Sequence, residues 1–445
     1  MPTDPPNAPP NAPRADASPS TGGGSFLPVE AQLEVILRGA EDVHVRAELT
    51  ARLEESRASG RPLRVKVGFD PTRPDLHLGH AVLMQKMRQF QDLGHEVILL
   101  VGDFTAMVGD PTGQNDLRPR LTRADVEAAA ETYTEQAFRI LAREITVVRR
   151  NSEWLGALGA TELIELMAKT TVSRMLERND FAKRFAEQRP IYQHEFLYPL
   201  LQGYDSVALA CDIELGGTDQ LFNLLVGRDL MPKYGKRGQL VLTTPLLEGT
   251  DARFVDGKVV GKKMSKSADN TIGLLEAPLT FFRKVMQLDD DVIFRYYDLL
   301  SSRSSAEIAA LRAERAAGRN PQEIKAAFAS ELLTRLQGEE AARDAAAEFR
   351  RVYSGDAIPD DVPELRLPTE GDTLWIAKAL ALANLVKSSG EGKRLVEQGG
   401  VEVNRERVTD PQLQLARGER YLLKVGSKNR RFAWVTVLGA DAGPA

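Results

Sequence analysis

Apolar and polar positions alternate with different periods along this chain, and the changes of period outline its elements. Arg64-Val65-Lys66-Val67-Gly68-Phe69 sets apolar residues at every second position and reads as a strand. Residues 79–93 return to helical spacing and are closed by Gly94, and Glu96-Val97-Ile98-Leu99-Leu100-Val101 reads as the next strand. Thr122 caps a long helix expected to run through Ala142, residues 145–148 are strand-like, and residues 212–215 and 239–243 add strands with helices between. This order predicts an α/β domain on a Rossmann-like, doubly wound parallel sheet, a class whose ligands lie beyond the carboxyl ends of the strands.

Past residue 250 the pattern turns helical. Ser304-Ser305-Ala306-Glu307 and Asn320-Pro321-Gln322-Glu323 both read as capping boxes, and apolar residues recur at helical spacing to about Tyr353. A Pro- and Asp-rich stretch then reads as a linker. Two short helices (375–386 and 391–398), Gly399-Gly400 and strands at 401–404, 421–425 and 431–437 follow. Residues 1–25 are Pro, Ala, Asn, Gly and Ser with almost nothing to bury and read as a disordered tail. The expected division is a catalytic domain over 26–250, an α-helical domain with a lysine-rich loop over 251–357, a linker over 358–370, a small α+β domain over 371–438 and a tail over 439–445.

Composition narrows the class. The chain has 445 residues, 42% hydrophobic and 27% charged, with no run near the 20 apolar residues that span a bilayer. One cysteine, Cys211, excludes an internal disulfide and a cysteine zinc cluster, and fits a reducing cytoplasm. The net charge of −5 argues against a uniformly basic nucleic-acid binder, yet residues 365–437 hold 13 Lys/Arg against 8 Asp/Glu. An acidic body carrying a basic module is the reading.

Two motifs carry chemistry. His77-Leu78-Gly79-His80 puts two imidazoles three residues apart at a helix N-terminus, which favours phosphate, and Gly79 clears space for backbone to approach a ligand. Alone, the pair is more often a helix cap or a metal pair than a catalytic one. Lys263-Met264-Ser265-Lys266-Ser267 follows Gly257 and Gly261, so its cations can move; alone, such a run is usually a solvated surface. In this order, donors plus movable positive charge suit a nucleoside triphosphate losing pyrophosphate. Between them, Tyr198, Gln202 and Asp205 follow i, i+4, i+7 spacing, so one helix face offers a phenol, an amide and a carboxylate. Such groups serve a shared cavity or, alternatively, internal helix-to-sheet hydrogen bonds.

The stretches GFDPTRPDLHLGH, GDFTAMVGDPTG, HEFLYPLLQGYDSVALACDIELGGTDQ and PLLEG followed by KKMSKS resemble those of class I aminoacyl-tRNA synthetases, specifically the bacterial tyrosyl-tRNA synthetase family. The resemblance runs from about Leu27 to Val437, and the basic segment is similar to an S4 RNA-binding domain. It implies a tyrosine–tRNA ligase: ATP and L-tyrosine give tyrosyl-adenylate and pyrophosphate, then the tyrosyl group passes to the 3′ end of tRNA(Tyr). A tryptophanyl-tRNA synthetase-like enzyme and a non-catalytic RNA-binding paralogue are the alternatives. It further implies Mg²⁺ accompanying ATP, no dedicated metal site, a cytoplasmic homodimer joined through an insertion in the catalytic domain, and no membrane attachment.

The resemblance also assigns roles. His77 and His80 stabilise the α-phosphate and the leaving pyrophosphate, Thr72 contacts the γ-phosphate, and Lys263, Ser265 and Lys266 close over the triphosphate. Asp70 and Gly79 line the nucleotide site, Gly216 and Gly217 let backbone pass close to it, and Asp219 holds the ribose. Asp110, Tyr198 and Gln202 receive the substrate ammonium, Asp205 the phenol, and Gln220 the reacting carboxylate. Lys387, Lys393, Arg394, Arg405 and Arg407 contact tRNA. Two positions depart from the family pattern: Lys66 stands where many members carry a phenol-contacting tyrosine, and Gln114 where a lysine is frequent, with Arg118 keeping a cation in that loop.

Overall fold

The structure is a computed structural model describing residues 26–72, 75–112, 121–353, 362–426 and 431–439. The N-terminal tail, Gln114 and Arg118 lie outside these described residues. The chain divides into two compact units, Met1–Arg343 and Asp344–Ala445.

The first unit is built on six strands: β1 (Asp42–His44), β2 (Arg64–Phe69), β3 (Glu96–Val101), β4 (Thr146–Arg150), β5 (Ile213–Gly217) and β6 (Leu240–Thr244). They lie in the order β1-β6-β5-β2-β3-β4, all parallel except the antiparallel edge strand β1. Three residues are too few to show a period, which is why β1 escapes the sequence reading. The chain leaves β2 through the helix Leu78–Asp92 toward β3, whereas β5 joins on the other side of β2. The switch point therefore falls between β2 and β5, and a crevice opens past their carboxyl ends. Asp70 follows β2 there, and Gly216 and Gly217 end β5.

Three sequence expectations in this unit change. Thr122 and Asp125 do form a reciprocal capping box, but the helix ends at Ala137 rather than Ala142. Gln91 explains the early stop, since its side chain bonds both the N–H and the carbonyl of Ala142 (3.1 and 3.4 Å), holding that residue out of the helix. The separate helical domain expected from residue 251 is, up to Arg343, part of the first unit. Tyr296 donates to the Glu248 carbonyl (2.7 Å), Arg335 to Gln85 on the helix Leu78–Asp92 (2.5 Å), and Gln337 to the carbonyls of Leu274 and Glu276. Ser304 and Glu307 cap each other as read, whereas Asn320 caps alone by accepting from the Gln322 N–H. A short exposed hairpin, β7 (Arg253–Val255) and β8 (Lys258–Val260), precedes the lysine loop.

The second unit holds a five-stranded sheet of β9 (Glu364–Thr369), β11 (Val401–Val403), β12 (Glu406–Val408), β14 (Arg420–Val425) and β15 (Arg431–Gly439), ordered β12-β11-β14-β15-β9. A separate pair joins β10 (Thr373–Trp375) to β13 (Gln414–Ala416). Helices Ile376–Leu382 and Ser389–Glu397 contribute Leu380 and Val396 to a core with Val401, Leu423 and Val435. The linker expected over 358–370 thus contains β9, which runs parallel to β15. Leu367 is buried from it, and Pro368 is tolerated because β9 is an edge strand.

Candidate active site

The histidine motif starts the helix that follows β2. His77 is its N-cap, with Nδ1 accepting from the Gly79 N–H (3.2 Å), and His80 Nδ1 accepts in return from the His77 N–H (3.3 Å). The ring centroids are 4.1 Å apart. Burial, with the neighbouring imidazole and Lys266 and Lys263 adding to it, pushes His77 down to about 3; burial likewise brings His80 to about 4. Both rings are therefore neutral near pH 7. Since each Nδ1 accepts, each proton sits on Nε2, leaving two neutral N–H donors. Capping and ligand recognition are not rival readings of this motif, because capping fixes the tautomer. A Cβ at Gly79 would lie 2.9 Å from the His77 ring, so only glycine leaves that ring in place.

The lysine motif is brought against it. The Leu78 N–H donates to the Ile272 carbonyl (2.9 Å) and the Leu274 N–H to that of Leu76 (3.0 Å), joining the chain after the lysines to the histidine segment. Met264 is buried, its N–H on the Leu247 carbonyl (2.8 Å), and Asn270 Oδ1 accepts from the Ser265 N–H (2.8 Å). The loop is thus pinned in its middle while its cations reach outward. Lys263 Nζ lies 3.5 Å from Asp219, and Lys266 Nζ 2.7 Å from Asp75.

The third wall is the helix Gln193–Leu209. Tyr198 donates to Asp70 Oδ2 (2.8 Å), and Thr105 Oγ1 to Asp70 Oδ1 (2.7 Å). Burial raises Asp70 to about 7 despite these two donors. Gly102 is required beside it, since a Cβ there would fall 2.0 Å from Asp70 Oδ1. Asp205 accepts from Trp154 Nε1 (2.8 Å) and Asn151 Nδ2 (3.2 Å); burial raises it to about 7, partly countered by Lys66. Gln220 donates to Asp110 Oδ2 (2.8 Å), whose other oxygen accepts from Thr112. Gln202 Nε2 reaches Glu214 Oε1 at 3.4 Å, while its buried Oε1 has no hydrogen-bond partner. Lys66 is fully buried and pairs with Glu214 at 2.9 Å.

His77, His80, Lys263, Lys266 and Asp219 thus form one group, and Asp70, Tyr198, Asp110, Gln220 and Asp205 another, each with residues on the segments that follow β2 and β5, with Gln202 against Glu214 and Gly216 and Gly217 at the end of β5. Thr72 sits just beyond Asp70, its N–H on the Asp70 carbonyl (2.8 Å). The sequence reading missed Gly102, Thr105, Asn151, Trp154 and Glu214. A usable signal existed for four of them, since Gly102 and Thr105 follow β3 and Asn151 and Trp154 follow β4, at the ligand-bearing ends of the strands. Among the described residues no three His, Cys, Asp or Glu side chains gather to hold a metal ion. Cys211 is a buried free thiol.

In the second unit, Lys387, Lys393, Arg394, Arg405 and Arg407 are all exposed. Arg405 occupies the left-handed turn between β11 and β12 (φ 75°), and Arg407 returns beside Gly399, at the end of the helix that bears Lys393 and Arg394.

Residues 58–354 match the family of tRNA synthetases class I (W and Y), and residues 374–420 match the S4 domain. The chain belongs to the class I tRNA synthetases of this family. It is 50% identical over 410 residues to the tyrosine–tRNA ligase of Thiobacillus denitrificans, spanning 92% of this chain and all of that one. To the tyrosine–tRNA ligase of Bordetella pertussis it is 51% identical over 411 residues, 92% of this chain and 97% of that one. A C-terminally truncated Aspergillus nidulans mitochondrial tyrosyl-tRNA synthetase shares the fold at 20% identity, with TM-score 0.60 over 73% of this chain and 94% of that one. The class I synthetase family, which uses ATP, thus accounts for the parallel sheet and the helical segment, and the S4 family for residues 374–420 of the second unit. No helix among the described residues is long and apolar enough to cross a membrane.

Proposed function

We propose that this chain is a tyrosine–tRNA ligase that activates L-tyrosine with ATP and transfers the tyrosyl group to the 3′ end of tRNA(Tyr). The observation that carries the reading is the convergence, at one sheet switch point, of two neutral Nε2–H donors, two lysines and the Tyr198–Gln202–Asp205 face. In the first step the tyrosine carboxylate attacks the α-phosphorus of ATP, and the bond to the β-phosphate oxygen breaks to release pyrophosphate. His77 and His80 donate to the oxygens that gain charge, and Lys263 and Lys266 accompany the leaving group with Thr72 and Ser265. Asp219 holds the ribose, which requires Lys263 to leave its carboxylate. In the second step a ribose hydroxyl of the terminal adenosine attacks the tyrosyl carbonyl and AMP departs. No covalent bond to the enzyme forms, so positioning and charge stabilisation do the catalysis. Mg²⁺ enters with ATP as part of the substrate.

Asp205 favours tyrosine over tryptophan. Each of its oxygens accepts one internal donor and keeps a lone pair for a phenol. A substrate without the hydroxyl leaves buried polar groups short of a partner; for tyrosyl-tRNA synthetase itself, a known example, this discrimination against phenylalanine is about 10⁵. Asp110, Tyr198 and Gln202 receive the ammonium, Gln202 through its unpartnered Oε1, and Gln220 lies at the carboxylate. The S4 domain with Lys387, Lys393, Arg394, Arg405 and Arg407 binds tRNA. Exposed Ile164, Val172 and Phe185 on the short helices between β4 and the helix Gln193–Leu209 support a homodimer joined through that insertion. A cytoplasmic location suits a translation enzyme with one buried thiol.

Pyrophosphate exchange tests the reading: it should depend on L-tyrosine, and exchange supported by tryptophan alone would sink it. RNA binding with no exchange would instead favour a non-catalytic paralogue.

A further inference from the structure

Lys66 and Glu214 are register partners on neighbouring strands β2 and β5, fully or almost fully buried beneath the helix Gln193–Leu209. An ion pair so deep is a poor source of net stability, because two charges lose their water. Its immediate surroundings show another use. Glu214 Oε1 takes Lys66 Nζ (2.9 Å) and Gln202 Nε2 (3.4 Å), and Oε2 takes Ser206 Oγ (3.0 Å) and Gln239 Nε2. Lys66 also donates to Ser206 Oγ (2.8 Å), leaving that hydroxyl's proton for Glu214. Burial is the largest influence on Lys66 and works against its charge, but Glu214, Cys211 and Asp205 together outweigh it and hold the ammonium above its usual value.

An ionised carboxylate accepts and cannot donate. Gln202 must therefore turn its NH₂ toward Glu214, and its carbonyl oxygen must face the other way. That oxygen is the one buried atom of the group left without a partner. An acceptor held in this orientation suits a cationic donor; the flipped amide would point two N–H bonds at the same charge.

We propose that Lys66, acting through Glu214, is a positioning residue for the substrate amine: its ion pair holds the Glu214 carboxylate as an acceptor for Gln202 Nε2, which fixes the Gln202 amide with Oε1 toward the ammonium of the amino acid. This rests on the tyrosine-activating reading above. It places the effect of Lys66 at the amine end of the substrate, although a tyrosine at this position in the family contacts the phenol. Asp205, which also faces Lys66, has its own donors in Trp154 and Asn151.

Binding of three ligands to the full chain separates the two ends of the pocket: L-tyrosine, 3-(4-hydroxyphenyl)propanoic acid, which lacks the amine, and L-phenylalanine, which lacks the hydroxyl. Lys66→Met should weaken L-tyrosine by about tenfold or more and leave the amine-free acid within about twofold. In a Gln202→Ala background, Lys66→Met should add less than about twofold, as for residues acting through one another. If the stranded carboxylate prevents Lys66→Met from folding, Lys66→Met/Glu214→Gln removes the lone charge, and the same amine-specific loss is expected because a neutral amide no longer dictates the Gln202 orientation. Equal losses for tyrosine and the amine-free acid would overturn the proposal, as would a loss shared by both phenols but absent for phenylalanine. Absence of tyrosine-dependent pyrophosphate exchange in the wild type would overturn the ligase reading and this proposal with it, whereas intact exchange with equal losses overturns this proposal alone.

Discussion

Tyr198 and Asp70, 128 residues apart in sequence, share a 2.8 Å hydrogen bond that ties the helix Gln193–Leu209 to the loop after β2. From Asp70 a continuous chain runs through Thr105 and Asn151 to Asp205. Asp70 and Asp205 are thus linked through two buried side chains.

Tyr198→Phe removes the donor and leaves Asp70 Oδ2 buried and short of a partner, at a cost of about 1–3 kcal/mol. Steady-state exchange kinetics should show kcat/KM for tyrosine falling roughly tenfold to a hundredfold, with KM for ATP much less affected. A fall confined to ATP would contradict the assignment of this face to the amino acid.

Asp205→Asn should change how stability depends on pH. The folded carboxyl titrates at about 7 rather than the usual 3.8, mainly through burial. Between those values the native state holds a proton that the unfolded state has released, so this group's contribution is full below pH 3.8 and lost as pH rises through about 7. His77 and His80, depressed below 6.5, act with the opposite sign as pH falls. Urea unfolding of wild type and Asp205→Asn at several pH values isolates the Asp205 share: the variant should gain relative stability as pH rises from 4 to 7. A difference constant across that range refutes it.

His80→Ala deletes one Nε2–H donor and the acceptor for the His77 N–H. Exchange should lose roughly 10²–10³ in kcat, as for removal of one charge-stabilising donor, with tRNA affinity unchanged. Parallel melting and filter-binding measurements separate the two effects.

Arg405→Ala/Arg407→Ala should weaken tRNA binding uniformly and lower the slope of log K against log salt by roughly 0.7–0.9 for each phosphate no longer neutralised. Tyrosine-dependent exchange, carried by the first unit, should stay at the wild-type rate. An unchanged salt slope would remove these residues from the RNA surface.

Phe185→Glu places a charge on an apolar side chain that is 67% exposed, so the isolated fold should tolerate it. Sedimentation should nevertheless show monomers where the wild type sediments as a dimer. A wild-type monomer at micromolar concentration would dispose of the insertion interface.

The sequence by itself determined the parallel strands, the helix after β2 with His77 and His80 at its start, and the polar face of Tyr198, Gln202 and Asp205. Periods of 2 and 3.6 and i, i+3 caps are local, so a few residues suffice to show them. It misread residues 364–369 because Pro and Asp obscured an edge strand whose pairing with β15 is supplied from seventy residues away. It could not show what Lys66 does, because the answer is Glu214 on a neighbouring strand and Ser206 on a covering helix. Nor could it show that helix capping and ligand recognition in the histidine motif are one arrangement, since tautomer and neutrality depend on burial beside the lysine loop. Tertiary structure decided those points because charge state and amide orientation are set by the groups packed around a side chain, whatever their distance along the chain.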